Sequence, residues 1–240
     1  MIMDGNRRWA RHHGLAITDG HEAGTRAAHE LLKWWVQLGQ QFFCIQGDSK
    51  PVLPQVLSLF TLSVDNFKRA PVEVNELIQL IAWHLKDIAY TPFIHLHRIR
   101  IRVIQADGVR GKFTPALCEA IDLVERVTAS YGGDDGFELL YLIGYDGRME
   151  VLDAVRDVVQ AGDELTNSTV SSRTACGRLN LPPVDLIVRS SGIMRTSGFF
   201  LWDTRAAEMS FIECLWPDLS EMDWLRSCLR YSQRESLGGA

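Results

Sequence analysis

The chain opens on MIMDGNRRWA, residues 1–10. Three apolar residues run directly into an acid, a glycine, an asparagine and two arginines. This is the grammar of a short strand, a loop and a following helix: "MIM" as strand, "DGNRR" as loop, then a polar turn before a helix that starts near His21. The same alternation recurs along the chain. Short apolar runs at residues 57–62, 99–104, 137–143, 184–188 and 209–213 read as strands, with the amphipathic stretches 21–38, 72–88, 115–129, 148–160 and 222–231 as helices. Residues 166–183 read as a short polar helix with a proline stop. Repeated strand–helix units predict an α/β fold around a mostly parallel sheet, and the length suits one domain over residues 1–240.

The composition is that of a well-filled globular core, with 46% hydrophobic and 23% charged residues. A net charge of −5 leaves no basic excess, so no nucleic-acid partner is expected. Five cysteines are widely spaced without a C-x-x-C pair and read as reduced core residues. No stretch reaches the roughly 20 apolar residues of a spanning helix, and the first residues do not read as a signal peptide. The expected setting is cytoplasmic and soluble, with at most peripheral membrane contact.

Three strand ends carry residues suited to anions. A glycine turn ahead of a helix offers backbone N–H groups to phosphate, and Arg7 and Arg8 add charge. Asp4, at the end of the first strand, suits Mg²⁺ held against phosphate oxygens. Alone, D-G-N reads as an ordinary turn. In DLIVRSSGIMRTSGFFLW, Arg189 ends an apolar run, and Arg195 and Ser197 follow in a Ser/Gly loop. FTLSVDNFKRAPVEV supplies Ser63, Asn66 and Arg69 before a proline-initiated helix. In a parallel sheet these ends fall on one edge, where ligands of open α/β folds bind. Glu208 reads as a solvated acid, and His21 as structural because no second histidine lies at ligand spacing. His95 and His97 read as surface residues. The stripe Val74, Leu77, Ile78, Ile81, Leu85, Ile88 reads first as core.

In this order, MDGNRRWA, GHEAG, SVDNFKR, GYDGRMEVLDAVR, DLIVRSSG, R-T-S and LWPDLSEMDW resemble the cis-prenyltransferases, the family of undecaprenyl and dehydrodolichyl diphosphate synthases. The resemblance spans almost the whole chain. It implies a central, mostly parallel six-stranded sheet with surrounding helices, an apolar tunnel for the growing chain, and a homodimer. It also implies condensation of isopentenyl diphosphate with an allylic diphosphate, creating a Z double bond with Mg²⁺ present. On matching positions, Asp4 would be the catalytic carboxylate and a metal ligand. Gly5, Asn6, Arg7, Arg8 and Arg69 would bind the allylic diphosphate, and His21 would assist near Asp4. Ser63 and Asn66 would sit between the substrates, where a proton leaves. Arg189, Arg195 and Ser197 would bind isopentenyl diphosphate, and Glu208 would be a second metal ligand at a site shared with the partner. The lipid product would provide any membrane contact.

Some positions depart from the family pattern. Ile17 and Ile193 stand where a basic and an acidic residue are common, Met194 replaces a polar residue, and Gly144 and Asp146 replace more usual residues. Residues 40–62 are longer than expected and include a Gly-Asp-Ser-Lys-Pro run. "MIM" makes a short central strand. These departures keep two alternatives in view: an enzyme of the same fold performing irregular coupling or cyclisation, and a non-catalytic partner subunit. The second tends to lose the first-motif carboxylate, which is present here as Asp4.

Overall fold

The computed structural model describes residues 1–43, 55–133 and 136–233. Its elements run α1 (Asn6–His12), α2 (Ile17–Phe43), β1 (Val56–Ser63), α3 (Pro71–Tyr90), α4 (Pro92–Leu96), β2 (Arg100–Ile104), α5 (Pro115–Val127), β3 (Glu138–Tyr145), α6 (Gly147–Ala161), α7 (Asn167–Arg173), α8 (Ala175–Arg178), β4 (Leu186–Arg189), β5 (Glu208–Phe211) and α9 (Glu221–Ser232). Local chemistry sets many of these boundaries. Pro71 and Pro115 occupy the first helical positions of α3 and α5, where no N–H is missed. Thr114, Asp146 and Ser220 cap α5, α6 and α9 through their side chains. Gly162, left-handed at φ 71°, closes α6.

The strands are parallel throughout. One group has the order β1-β3-β2 and the other pairs β4 with β5. Ile2 joins them through isolated parallel bridges to Phe60 of β1 and Arg189 of β4. Its N–H donates to Val188 O at 2.8 Å, and Phe60 N–H donates to Met1 O at 3.0 Å. The expected six-stranded sheet is therefore corrected to five strands and one bridging residue among the described residues, because three residues are too few to carry a regular ladder on both sides. All strand carboxyl ends still point to one edge. β3 is buried at every position, as a central parallel strand covered on both faces must be. Its one acid, Glu138, is paired with Arg102 at 3.0 Å. One face packs on α2, α3 and α5 through Leu31, Trp35, Ile78, Leu85, Leu117 and Ile121; the other holds Leu140, Leu142, Tyr145, Phe199 and Phe200.

Three readings of the sequence change. The polar turn after "MIMDG" is helix α1, and α2 begins at Ile17 and runs to Phe43. The single short polar helix is two, α7 and α8. His95 is not a plain surface residue: its ring bonds Tyr131 Oη at 3.1 Å and Ala89 O at 2.9 Å. The Gly-Asp-Ser-Lys-Pro run lies outside the described residues. No helix among the described residues is long and apolar enough to cross a membrane.

Burial predicts where the fold is sensitive. Leu142, fully buried on β3, should cost about 2–5 kcal/mol when changed to Ala. Val159, 64% exposed on α6, should cost less than about 0.5 kcal/mol beyond helix propensity. Urea unfolding of the two variants separates these outcomes, and equal losses would contradict the layer assignment.

Candidate active site

Asp4 follows the bridging residues and meets the end of β4. Its Oδ2 accepts from Arg189 Nη2 and from Ser191 Oγ, each at 2.9 Å. Arg8, one helical turn on, lies 3.5 Å from the same oxygen. The Asp4 backbone is held as well: its N–H donates to Ser190 Oγ at 3.1 Å, while its carbonyl accepts from that hydroxyl at 2.8 Å and from Trp216 N–H at 3.0 Å. Burial alone would raise the Asp4 pKa. The hydrogen bonds from Arg189 and Ser191 and the charges of Arg189 and Arg8 outweigh it and hold the carboxyl below its ordinary value. Among the described residues no partner falls on Oδ1. An ionised carboxylate with one oxygen engaged and one open fits a hard divalent cation such as Mg²⁺.

Arg189 is buried, yet it reaches three groups. Besides Asp4, its Nη1 donates to Ser197 Oγ at 2.8 Å and to Arg195 O at 2.5 Å. One guanidinium thus organises both the carboxylate and the Ser/Gly loop. That loop holds unusual backbone: Ser191, Ser197 and Phe200 are non-glycine residues at φ 89°, 52° and 44°. Each such residue costs of order 1–3 kcal/mol and persists only where surroundings impose it, typically at functional sites. Arg195 is exposed and makes no ion pair among the described residues, which leaves its charge available.

The first turn of α1 faces the same edge. Gly5 at φ 121° precedes it without a side-chain cap, so the leading amides are open to an anion. Leu215 fills the space beside Gly5, where a Cβ would stand 3.0 Å away. The two glycines of GHEAG have a related role. A Cβ at Gly20 would meet Asn6 O at 2.3 Å, and one at Gly24 would meet Asn6 Oδ1 at 2.5 Å. Glycine one turn apart lets α2 press against α1 and fix Asn6.

The third cluster joins the first. Glu73 pairs with Arg69 at 3.0 Å and with Arg7 at 3.4 Å. Asn66 Oδ1 accepts from Ser63 N–H at 3.0 Å at the end of β1. Asp4, Arg7, Arg8, Ser63, Asn66, Arg69, Arg189, Arg195 and Ser197 thus all stand at the carboxyl edge of the sheet. Glu208 does not: it begins β5, is exposed, and pairs with Leu186, three residues before Arg189. Within one chain it therefore stands away from Asp4, and no group of three or more His, Cys, Asp or Glu side chains that could hold a metal is found among the described residues. His21 stands under the charges of Arg69, Glu73 and Arg7.

A cavity of ≈ 70 Å³ lies beneath this cluster. Asn6, His21, Leu59, Leu77 and Ile81 are among its walls. The helical stripe therefore serves as core and wall together, whereas Trp83, 60% exposed, points away. Sequence reading missed Glu73, which holds two of the arginines, and His84, a cavity residue; both were legible, since Glu73 is four residues from Arg69 and His84 falls on the stripe three after Ile81. It also missed Ser190 and Ser191, whose place in the Ser/Gly loop gave no reason to single them out.

Burial foremost, then the Arg69 charge, with Glu73 opposing and Arg7 adding, lowers His21 from 6.5 to about 4. Its Nε2 is buried without a partner. The unfolded chain takes up a proton below pH 6.5 that the folded chain refuses until about 4. The stability is full above pH 6.5 and is lost as pH falls toward 4, by up to about 3 kcal/mol. His21→Gln should lessen the fall in stability between pH 6.5 and 4 in chemical unfolding, the half-buried His29 and buried His84 keeping the remainder, and an unchanged slope would contradict it.

Comparison with known proteins agrees with this geometry. The family model described as putative undecaprenyl diphosphate synthase matches residues 2–239. An isoprenyl transferase of Thermus thermophilus is 34% identical over 98% of this chain and 85% of its own length. A tritrans,polycis-undecaprenyl-diphosphate synthase (geranylgeranyl-diphosphate specific) of Halobacterium salinarum is 35% identical over 98% of this chain and 73% of its length. Among solved structures, lavandulyl diphosphate synthase from Lavandula x intermedia, in complex with dimethylallyl diphosphate, shares the fold at TM-score 0.80 and 23% identity, over 98% of this chain and 94% of that one. The arginine-rich sheet edge, the clamped carboxylate and the match along nearly the full chain lead to one conclusion: the chain belongs to the undecaprenyl diphosphate synthase family and is a cis-prenyltransferase.

Proposed function

We propose that the protein condenses isopentenyl diphosphate with an allylic prenyl diphosphate to give a Z-configured prenyl diphosphate, with Mg²⁺. The observation that carries this reading is the Asp4–Arg189 contact at 2.9 Å across 185 residues of sequence, which makes two anion-binding loops into one site. The open amides of α1, from Asn6 to Arg8, and the side chains of Arg7, Arg8 and Arg69 hold the allylic diphosphate. Arg195 and Ser197 hold that of isopentenyl diphosphate, with Arg189 fixing both.

Ionising an allylic C–O bond requires that charge developing on the leaving diphosphate be met by preorganised donors. Arginine suits this because it is forked and always charged. Asp4 would hold Mg²⁺, which would supply further neutralisation of the diphosphate charge. Ser63 and Asn66 position the condensing end of isopentenyl diphosphate and direct the proton it loses. His21, neutral by burial, adds no positive charge and keeps the floor under Arg7 and Arg69 dry. The apolar cavity excludes water that would quench the developing cation.

A homodimer fits the same reading. β5 is an edge strand whose first residues, Glu208 and Met209, are exposed, so a second copy covering this edge would bury Met209 and bring Glu208 to the interface. The reading supports a cytoplasmic enzyme that meets membranes peripherally through its lipid product.

Asp4→Ala should lower condensation of labelled isopentenyl diphosphate with an allylic primer by about 10²–10³-fold while far-UV circular dichroism remains that of the folded protein. Undiminished activity in a folded variant would overturn the role of Asp4.

A further inference from the structure

The cavity beneath the charged cluster does not end on hydrocarbon. His84 of α3 and Tyr141 of β3, both buried, stand in its wall. His84 Nε2 shares a hydrogen bond with Tyr141 Oη at 2.8 Å, and His84 Nδ1 shares one with His29 Nε2 of α2 at 3.0 Å. The His84 ring lies 4.8 Å from the His29 ring and 5.6 Å, edge-on, from the Tyr141 ring. His29 in turn lines a second cavity of ≈ 60 Å³, with Leu32, Ile88, Phe93 and Ile94. The imidazole pair is thus the wall that two cavities share.

We propose that the His29–His84–Tyr141 chain is the floor of the prenyl cavity and sets the greatest length of the product, His84 being the specificity-determining residue. The inference rests on the elongation reading above. Leu77, Ile81 and His84 follow one another at helical spacing, so His84 occupies the place where the wall would otherwise continue as hydrocarbon. A neutral imidazole has one donor and one acceptor, and His84 uses both. Burial, with the neighbouring His29 adding to it, lowers its pKa to about 3, so the ring stays neutral in the enzyme's working range. A prenyl tail can push an aliphatic side chain into another rotamer. Displacing His84 would instead strand a buried imidazole and the Tyr141 phenol without partners, which is far less favourable. A hydrogen-bonded floor therefore resists a growing chain where an aliphatic one would yield.

The test is the product-length distribution from labelled isopentenyl diphosphate, Mg²⁺ and an allylic primer, read by reversed-phase chromatography after dephosphorylation. His84→Ala joins the two cavities, and His29→Ala opens the same wall from its half-buried side. Each should shift the longest product upward by at least one isoprene unit. Adding Ile94→Phe to His84→Ala refills the second cavity and should shift it back. Extended products of wild-type length from both single variants would overturn the inference. Should His84→Ala not fold, His29→Ala decides alone. Absence of extended product from the wild-type protein with every primer would remove the elongation reading and this inference with it, an outcome distinct from extension at unchanged length.

Discussion

The carboxylate of Asp4, held by Arg189 and Ser191 at 2.9 Å each, is the contact on which the rest of the site depends. Among the described residues, those before it join the two halves of the sheet through the bridges of Ile2 and the hydrogen bond at Met1 O, which is little backbone pairing for a central position. The clamp makes up the difference. Ser190 bonds the Asp4 backbone in both directions, and the Trp216 amide closes the far side. Interactions usually supplied by a strand ladder are supplied here by the Ser/Gly loop, so the candidate site and the join between the sheet halves are one structure.

The charges around Asp4 are compensated largely by groups of the chain itself. Arg189 loses most of its solvent and recovers by donating to a carboxylate, a hydroxyl and a carbonyl. Arg7 and Arg69 share Glu73. Arg195 remains without an ion pair among the described residues, on a loop of left-handed residues that runs into the buried Phe199 and Phe200. Preorganisation of this kind is what stabilising a departing diphosphate demands, since donors that are already fixed need not reorganise during the reaction.

Much of this was legible in the sequence because parallel sheets impose their own order. The run at residues 137–143 is a strand without a polar face because β3 is buried at every position, whereas the runs at 57–62 and 99–104 belong to β1 and β2, which bury only some of their residues. That placed Asp4, Asn66 and Arg189 at one edge before any contact was known. Other features were not legible. A strand reduced to one bridging residue leaves no periodic signal. Helix α1 was masked by its charged, glycine-led start, which reads as a turn. Glu208 shares its segment with the last strand, yet register sets it at the opposite end from Arg189, and register is not written in a four-residue run. The place of His84 on the stripe was legible, but its partners, 55 and 57 residues away, leave no local trace.

The central claim is that the Asp4 edge performs cis-prenyl transfer, and the configuration of the newly made double bond tests it most directly. Carbon-13 NMR of the dephosphorylated product, formed from isopentenyl diphosphate and an allylic primer, should show each new double bond as Z. New double bonds in the E configuration, or an irregular or cyclic skeleton in place of a linear one, would contradict the account.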